Sequence, residues 1–125
     1  MRSVLVVDDD PGVRKSFQLA FEDEPYAVDA ADSGTAGLAR LEAAQYDIIY
    51  LDLKMPGLNG VETLRAIRAR GVDVPVYIVT AFYREFLSDL DEAADDGLAF
   101  EVLEKPVDGE QLVAITNEIL GTPDA

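Results

Sequence analysis

The sequence predicts a doubly wound α/β domain: a five-stranded parallel sheet with five helices covering both faces. Short apolar runs alternate with helix-length amphipathic segments about five times along the 125 residues. The runs are continuously apolar, as strands covered on both sides require. Cap and stop residues stand where several of the helices should begin or end. A chain of this length forms one domain and buries a core without disulfides.

The first strand is Val4 to Val7, which ends abruptly in Asp8-Asp9-Asp10. Pro11 then occupies a first helical position, with Asp10 as N-cap. Val13, Phe17, Leu19, Ala20 and Phe21 give that helix an apolar side. Tyr26 to Ala30 is a second, weaker strand, and Ser33 caps a helix through about Ala44 with Ala36, Leu38, Ala39 and Leu41 inward. The third strand, Asp47 to Leu51, ends at Asp52. After a loop containing Met55-Pro56-Gly57, a helix near Gly60 to Ala69 buries Val61, Leu64 and Ile67 and stops at Gly71. Val74 to Val79 is the fourth strand, ending at Thr80. Phe86, Leu87, Leu90, Ala93 and Ala94 form the stripe of a fourth helix closed by Gly97. Phe100 to Leu103 is the fifth strand, and Asp108 with Gln111 has capping-box spacing at the head of a last helix through Leu120. The domain is expected over 1–120, with 121–125 as a loose C-terminal tail.

Composition narrows the chemistry. The chain has no cysteine and no histidine, which excludes disulfides, thiolate catalysis, imidazole acid–base chemistry and Cys/His-ligated metals. Any metal must be a hard cation held by oxygens. The net charge of −15 argues against direct nucleic-acid binding, which needs a basic footprint. From Glu85 onward Lys105 is the only basic residue, so that half presents either a solvated acidic face or a docking face for a basic partner. No apolar run approaches a membrane span, and Met1-Arg2-Ser3-Val4 leads straight into a strand with no signal-peptide layout, so the expected location is cytoplasmic.

In an open parallel sheet, ligands bind at the carboxyl ends of the strands. Asp8, Asp9 and Asp10 fall there, as do Asp52, Thr80 and, just past the fifth strand, Lys105. Taken singly each has an ordinary reading as a turn, cap or loop residue; the weight lies in their sharing one edge. Two carboxylates ~4 Å apart repel by about 4 kcal/mol at an effective dielectric near 20, so the cluster needs a counter-cation. Carboxylate oxygens plus water describe a magnesium-type site that can also accept phosphate oxygens. An aspartate can take a phosphoryl group as nucleophile, with Lys105 supplying positive charge and Thr80 a hydroxyl donor.

Four stretches resemble the response-regulator receiver family over about residues 3 to 120. They are Val4-Leu5-Val6-Val7-Asp8-Asp9-Asp10-Pro11, Asp52-Leu53-Lys54-Met55-Pro56-Gly57-Leu58-Asn59-Gly60, Val79-Thr80-Ala81 and Glu104-Lys105-Pro106-Val107. The resemblance implies the flavodoxin-like strand order 2-1-3-4-5 and a phosphoacceptor of a two-component system. It implies that Asp52 receives a phosphoryl group from a histidine kinase or phosphotransfer protein and then switches an output partner or domain. It further implies Mg2+ (or Mn2+) held directly by Asp9 and Asp52, through water by Asp8, and by the backbone carbonyl of Lys54. Thr80 and Lys105 would contact the phosphoryl group, the Lys105–Pro106 peptide would be cis, and no turnover of another substrate is expected.

Two departures from the family stand out. An aromatic residue usually lies three places before the lysine; here that place is Val102, with Phe100 five before. Either Phe100 is repurposed or the output surface changes differently. The last helix carries no Lys or Arg, so the common pairing of basic and acidic helices in a symmetric dimer is not expected. Phe82 and Lys54 occupy places where the family tunes phosphoryl lifetime, and bulky Phe82 is expected to slow hydrolysis. The alternatives are a receiver-like scaffold without phosphorylation, an FMN-binding flavodoxin-like domain, whose phosphate loop three aspartates would repel, and an aspartate-nucleophile phosphatase, which would want an acid where Lys54 stands.

Overall fold

A computed structural model describes residues 1–121. In chain order the elements are β1 (Arg2–Val7), α1 (Pro11–Ala20), β2 (Tyr26–Ala31), α2 (Gly34–Ala43), β3 (Ile48–Leu51), α3 (Gly60–Ala69), β4 (Val76–Thr80), a 3-10 turn (Tyr83–Phe86), α4 (Leu87–Asp95), β5 (Glu101–Glu104) and α5 (Gly109–Leu120). Beyond Gly121, the tail expected over 121–125 lies outside the described residues.

The strands pair in the order β2-β1-β3-β4-β5, all parallel, as a doubly wound sheet should. Burial follows position in the sheet. All four residues of central β3 are buried, whereas edge strand β5 is exposed at both ends. Alternate residues of each strand face opposite sides. Leu5, Ile49 and Ile78 meet Leu38, Leu64 and Leu90 from α2, α3 and α4. Val4, Val6, Ile48 and Tyr50 meet Phe17 and Leu112 from α1 and α5. Each such fully buried side chain contributes roughly 1.5–3 kcal/mol.

Helix starts are set by side chains accepting from otherwise unpartnered backbone N–H groups. Asp10 accepts from Gly12, Ser33 from Ala36 and Asp108 from Gln111. The reciprocal capping box belongs to Asn59 and Glu62 at the head of α3, a pair not singled out from the sequence.

Several expectations shift. Leu19 is exposed because, two positions after Phe17, it lies ~200° round the helix, while Val13, Phe17 and Ala20 share the packed side. Ala39 of α2 is likewise exposed, and Gly37 packs against Val7 instead. Strand β4 begins at Val76 and not at Val74. Arg68 donates to the carbonyls of Val72 and Val74, and Pro75 has no N–H to give to a ladder. The expected fourth helix is broken into the 3-10 turn and α4, neither of which has a side-chain cap. Strand β5 begins one residue later than expected, leaving Phe100 outside it.

Candidate functional site

Strand pairing runs on past the strands and delivers the polar residues to one edge. The Asp8 N–H donates to the Ala31 carbonyl at 3.1 Å, continuing β1 alongside β2. The Asp52 N–H donates to the Val7 carbonyl at 2.9 Å, which seats Asp52 beside Asp8. The Lys105 N–H donates to the Thr80 carbonyl at 2.8 Å, which places the lysine at the end of β4, and the Lys105–Pro106 peptide is cis. Gly60 holds the loop after Asp52 close: its N–H donates to the Leu53 carbonyl at 2.8 Å. A Cβ there would strike the Asp52 carbonyl oxygen and lie 2.8 Å from the Leu53 Cα.

Asp8, Asp52 and Lys105 line an open cavity of about 670 Å³ together with Asp9, Asp10, Lys54, Met55, Pro56 and Phe82. Asp52 sits at its floor, 6% exposed. One carboxylate oxygen each from Asp8, Asp9 and Asp52 lies within 4.8 Å of the others, a spacing one cation could bridge. The two oxygens of Asp8 are already engaged: Oδ1 accepts from the Asp10 N–H at 2.9 Å and Oδ2 from Lys105 Nζ at 3.2 Å. Asp9 is exposed to the cavity. Lys105 Nζ stands 3.6 Å from Asp52 Oδ1, too far for a hydrogen bond, and that buried oxygen has no partner. A buried, unpartnered carboxylate oxygen is costly unless a cation or donor completes it. Burial, with the charge of Asp8 added, pushes the Asp52 carboxyl up to about 6, against the pull of Lys105. The donor set of hard oxygens fits a magnesium-type ion.

Asp10 serves as the N-cap of α1, as expected. Thr80 is fully buried, and its hydroxyl accepts the Phe82 N–H at 2.8 Å. Val102 lies beside Ile78 and is half-buried against the α3–α4 side of the core. Phe100 is not brought to the site. Glu104 is the partner of Thr80, so Phe100, four residues earlier, lies toward the opposite edge, lining a separate cleft with Arg68 and Tyr77.

Two contacts at this edge carry no sequence signal beyond opposite charge or polarity. Arg14 reaches back from α1 to donate to the Asp8 carbonyl at 2.8 Å, bracing the acidic loop. Glu85, in the 3-10 turn, pairs with Lys54 Nζ at 3.3 Å, while that Nζ lies 4.5 Å from the centre of the Phe82 ring.

Comparison with known proteins points the same way as the geometry. The family model described as the response regulator receiver domain matches residues 4–117. The chain is 34% identical over 122 residues to the response regulator ArlR of Staphylococcus epidermidis, covering 96% of this chain and 53% of ArlR. It is 36% identical over 125 residues to the response regulator MprA of Mycolicibacterium vanbaalenii, covering 97% and 52%. The chain thus spans about half the length of these relatives. Among solved structures it is similar to a CheY-like receiver domain protein from Methanospirillum hungatei, with TM-score 0.81, 27% identity and coverage of 94% and 92%. It is also similar to the response regulator TrrA of Thermotoga maritima in complex with Mg(2+)-BeF, with TM-score 0.78, 30% identity and coverage of 95% and 99%. The strand order, the carboxylate cluster at the strand ends and a match spanning nearly the whole chain agree, and the chain belongs to the response regulator receiver domain family.

Proposed function

We propose that this chain accepts a phosphoryl group on Asp52 from a phosphohistidine donor, with Mg2+ (or Mn2+) bound at Asp8 and Asp9, and that loading changes its contacts with a partner or output domain. The observation that carries the reading is the buried, unpartnered Oδ1 of Asp52, with Lys105 Nζ 3.6 Å away and two further aspartates within bridging distance. A bound divalent ion would offset the crowded carboxylates and the charge of the incoming phosphoryl oxygens. Asp9, Asp52 and the Lys54 carbonyl would hold it directly, and Asp8, whose oxygens are engaged, through water. The TrrA complex with Mg(2+)-BeF supports this in a relative.

In the transfer, an Asp52 carboxylate oxygen forms a bond to phosphorus as the nitrogen–phosphorus bond of the donor breaks. The donor imidazole leaves with its electron pair. No base is needed, because a carboxyl near 6 is largely ionised at neutral pH. Lys105 meets the phosphoryl oxygens with a point charge, and Thr80, whose hydroxyl oxygen accepts the Phe82 N–H, still has its own O–H to donate to them. Acceptance and loss of this group are the only chemistry proposed; the chain turns over no other substrate. The Asp-rich edge disfavours binding of an FMN phosphate, and among the described residues no helix is long and apolar enough to cross a membrane.

Magnesium-dependent labelling by acetyl phosphate, run beside Asp52→Asn, tests the reading. Label on the wild type and none on the variant supports it. An unlabelled wild type, with beryllium fluoride also without effect on its spectrum, overturns it.

A further inference from the structure

The cleft at the far edge of the sheet, about 270 Å³, shares no residue with the Asp52 cavity. It lies where β4 and β5 begin, between the loop after α3, the approach to β5 and the end of α5. Its walls are largely apolar and aromatic: they include Tyr77, Phe100 and Ile119, the last a large side chain left 42% exposed. Its charges are unequal. Arg68 is committed within the fold, donating to the carbonyls of Val72, Val74 and Ala99, and Asp73 stands beside it as a counter-charge. Glu101 is the register partner of Tyr77 and so shares its face of the sheet. Burial pushes the Tyr77 phenol up, and the charges of Glu101 and Glu118 push it further, so both carboxylates stand near that ring. Both are exposed, and neither has an ion-pair partner among the described residues.

We propose that this cleft docks a partner protein by taking an arginine side chain flanked by apolar residues, the guanidinium lying against Tyr77 and Phe100 and reaching Glu101 and Glu118. Size sets the scale. At about 270 Å³ the cleft is smaller than the ~300–1,000 Å³ of a cofactor or small-molecule pocket, and it suits one long side chain. Charge sets the sign, because two carboxylates without ion-pair partners beside aromatic faces favour a cation. Shape sets the identity. A guanidinium is planar and weakly hydrated, stacks on rings and donates through several N–H groups at once, whereas an ammonium is compact and strongly hydrated. The apolar flank covers Ile119. A second copy of this chain is disfavoured as the occupant by the net charge of −15 on each. The cleft lies at the opposite end of the strands from Asp52, and docking there does not require phosphorylation.

The test titrates the whole chain with the end-blocked tripeptide Leu-Arg-Leu and with Leu-Lys-Leu, following backbone amide shifts by NMR. A single charge on the peptide keeps diffuse attraction to the acidic surface small. The wild type should show saturable shifts centred on Tyr77, Phe100 and Ile119. Glu101→Gln, at an exposed position, should weaken binding about two- to five-fold, the size an exposed ion pair can contribute. Glu110→Gln removes an equal charge at the head of α5, roughly 12 Å along the helix from Glu118, and should leave binding unchanged. The lysine peptide should bind about two- to five-fold more weakly than the arginine peptide. Shifts that do not saturate or centre elsewhere overturn the proposal, as do equal effects of the two substitutions or equal binding of the two peptides. Self-association without peptide, lost in Glu101→Gln, assigns the cleft to a second copy and also overturns it.

Discussion

Replacing Asp52 by asparagine should make the metal-free protein more stable. The reason lies in the floor of the cavity. Asp52 is almost fully buried beside Asp8, and its carboxyl is pushed from 3.8 up to about 6. A carboxyl with a raised folded value is more costly to ionise in the folded state than in the unfolded chain. At pH 7.5, above both values, the full penalty applies. It is released as pH falls through about 6 toward 3.8, where the folded state holds its proton more tightly. A shift of this size corresponds to about 3 kcal/mol at pH 7.5 and to about 1 kcal/mol at pH 4.5. Asparagine keeps the shape and removes the charge. It does not orphan Lys105, which keeps Asp8 at 3.2 Å. Since Lys105 and Asp9 are partly solvated, a gain of about 1–3 kcal/mol is expected, or roughly 3–12 °C in Tm for a domain of this size.

The assay is thermal unfolding of both proteins in chelator, at pH 7.5 and at pH 4.5, then with added magnesium. The asparagine advantage should shrink in acid. Magnesium should narrow it from the other side, because the wild type gains about 1.4 kcal/mol when the ion is tenfold above its Kd and the variant gains less. A variant no more stable than the wild type at pH 7.5 in chelator refutes the reasoning, as does an advantage that grows toward pH 4.5.

Gly60→Ala forces a methyl group onto the Asp52 carbonyl, and a cost of about 1–3 kcal/mol in chemical denaturation is expected, with slower acetyl phosphate labelling because the Asp52 loop must shift. Lys105→Met removes the cation that serves both Asp8 and Asp52; labelling should fall roughly a hundredfold, while the stabilisation gained from magnesium should rise. The acidic last helix should prevent a symmetric dimer through basic and acidic helices, so sedimentation velocity at micromolar concentration should show no dimer held through that face, with or without beryllium fluoride.

Much of this was legible because parallel strands are simple to read and their ends are simple to place. Once β1 and β3 are adjacent, pairing alone brings Asp52 to Asp8, and pairing of β4 with β5 brings Lys105 to Thr80. What was not legible depends on loop paths. The stripe from Phe86 to Ala94 reads as one helix, yet the chain first makes a tight turn, because the Phe82 N–H is drawn to the Thr80 hydroxyl and no cap residue starts the helix earlier. Arg68 has no motif, but its guanidinium donates to the carbonyls of Val72, Val74 and Ala99, tying the end of α3 to the entries of β4 and β5. That staple is why β4 starts late.

The same contacts locate where a response to the proposed phosphorylation would begin. The expected aromatic position holds Val102, packed in the core beside Ile78, and Phe100 lies toward the other end of the strand. A signal carried by β5 would have to move a half-buried valine with little to gain. Thr80, by contrast, is tied to Phe82 by one neutral hydrogen bond, worth about 1 kcal/mol net. A charged phosphoryl oxygen is a stronger partner for the hydroxyl. Drawing Thr80 toward Asp52 would free the Phe82 N–H, and Phe82 directly precedes the uncapped turn that leads into α4. The least costly path from the site to the surface therefore runs through that turn, and the acidic helix beyond it is the first element it would move.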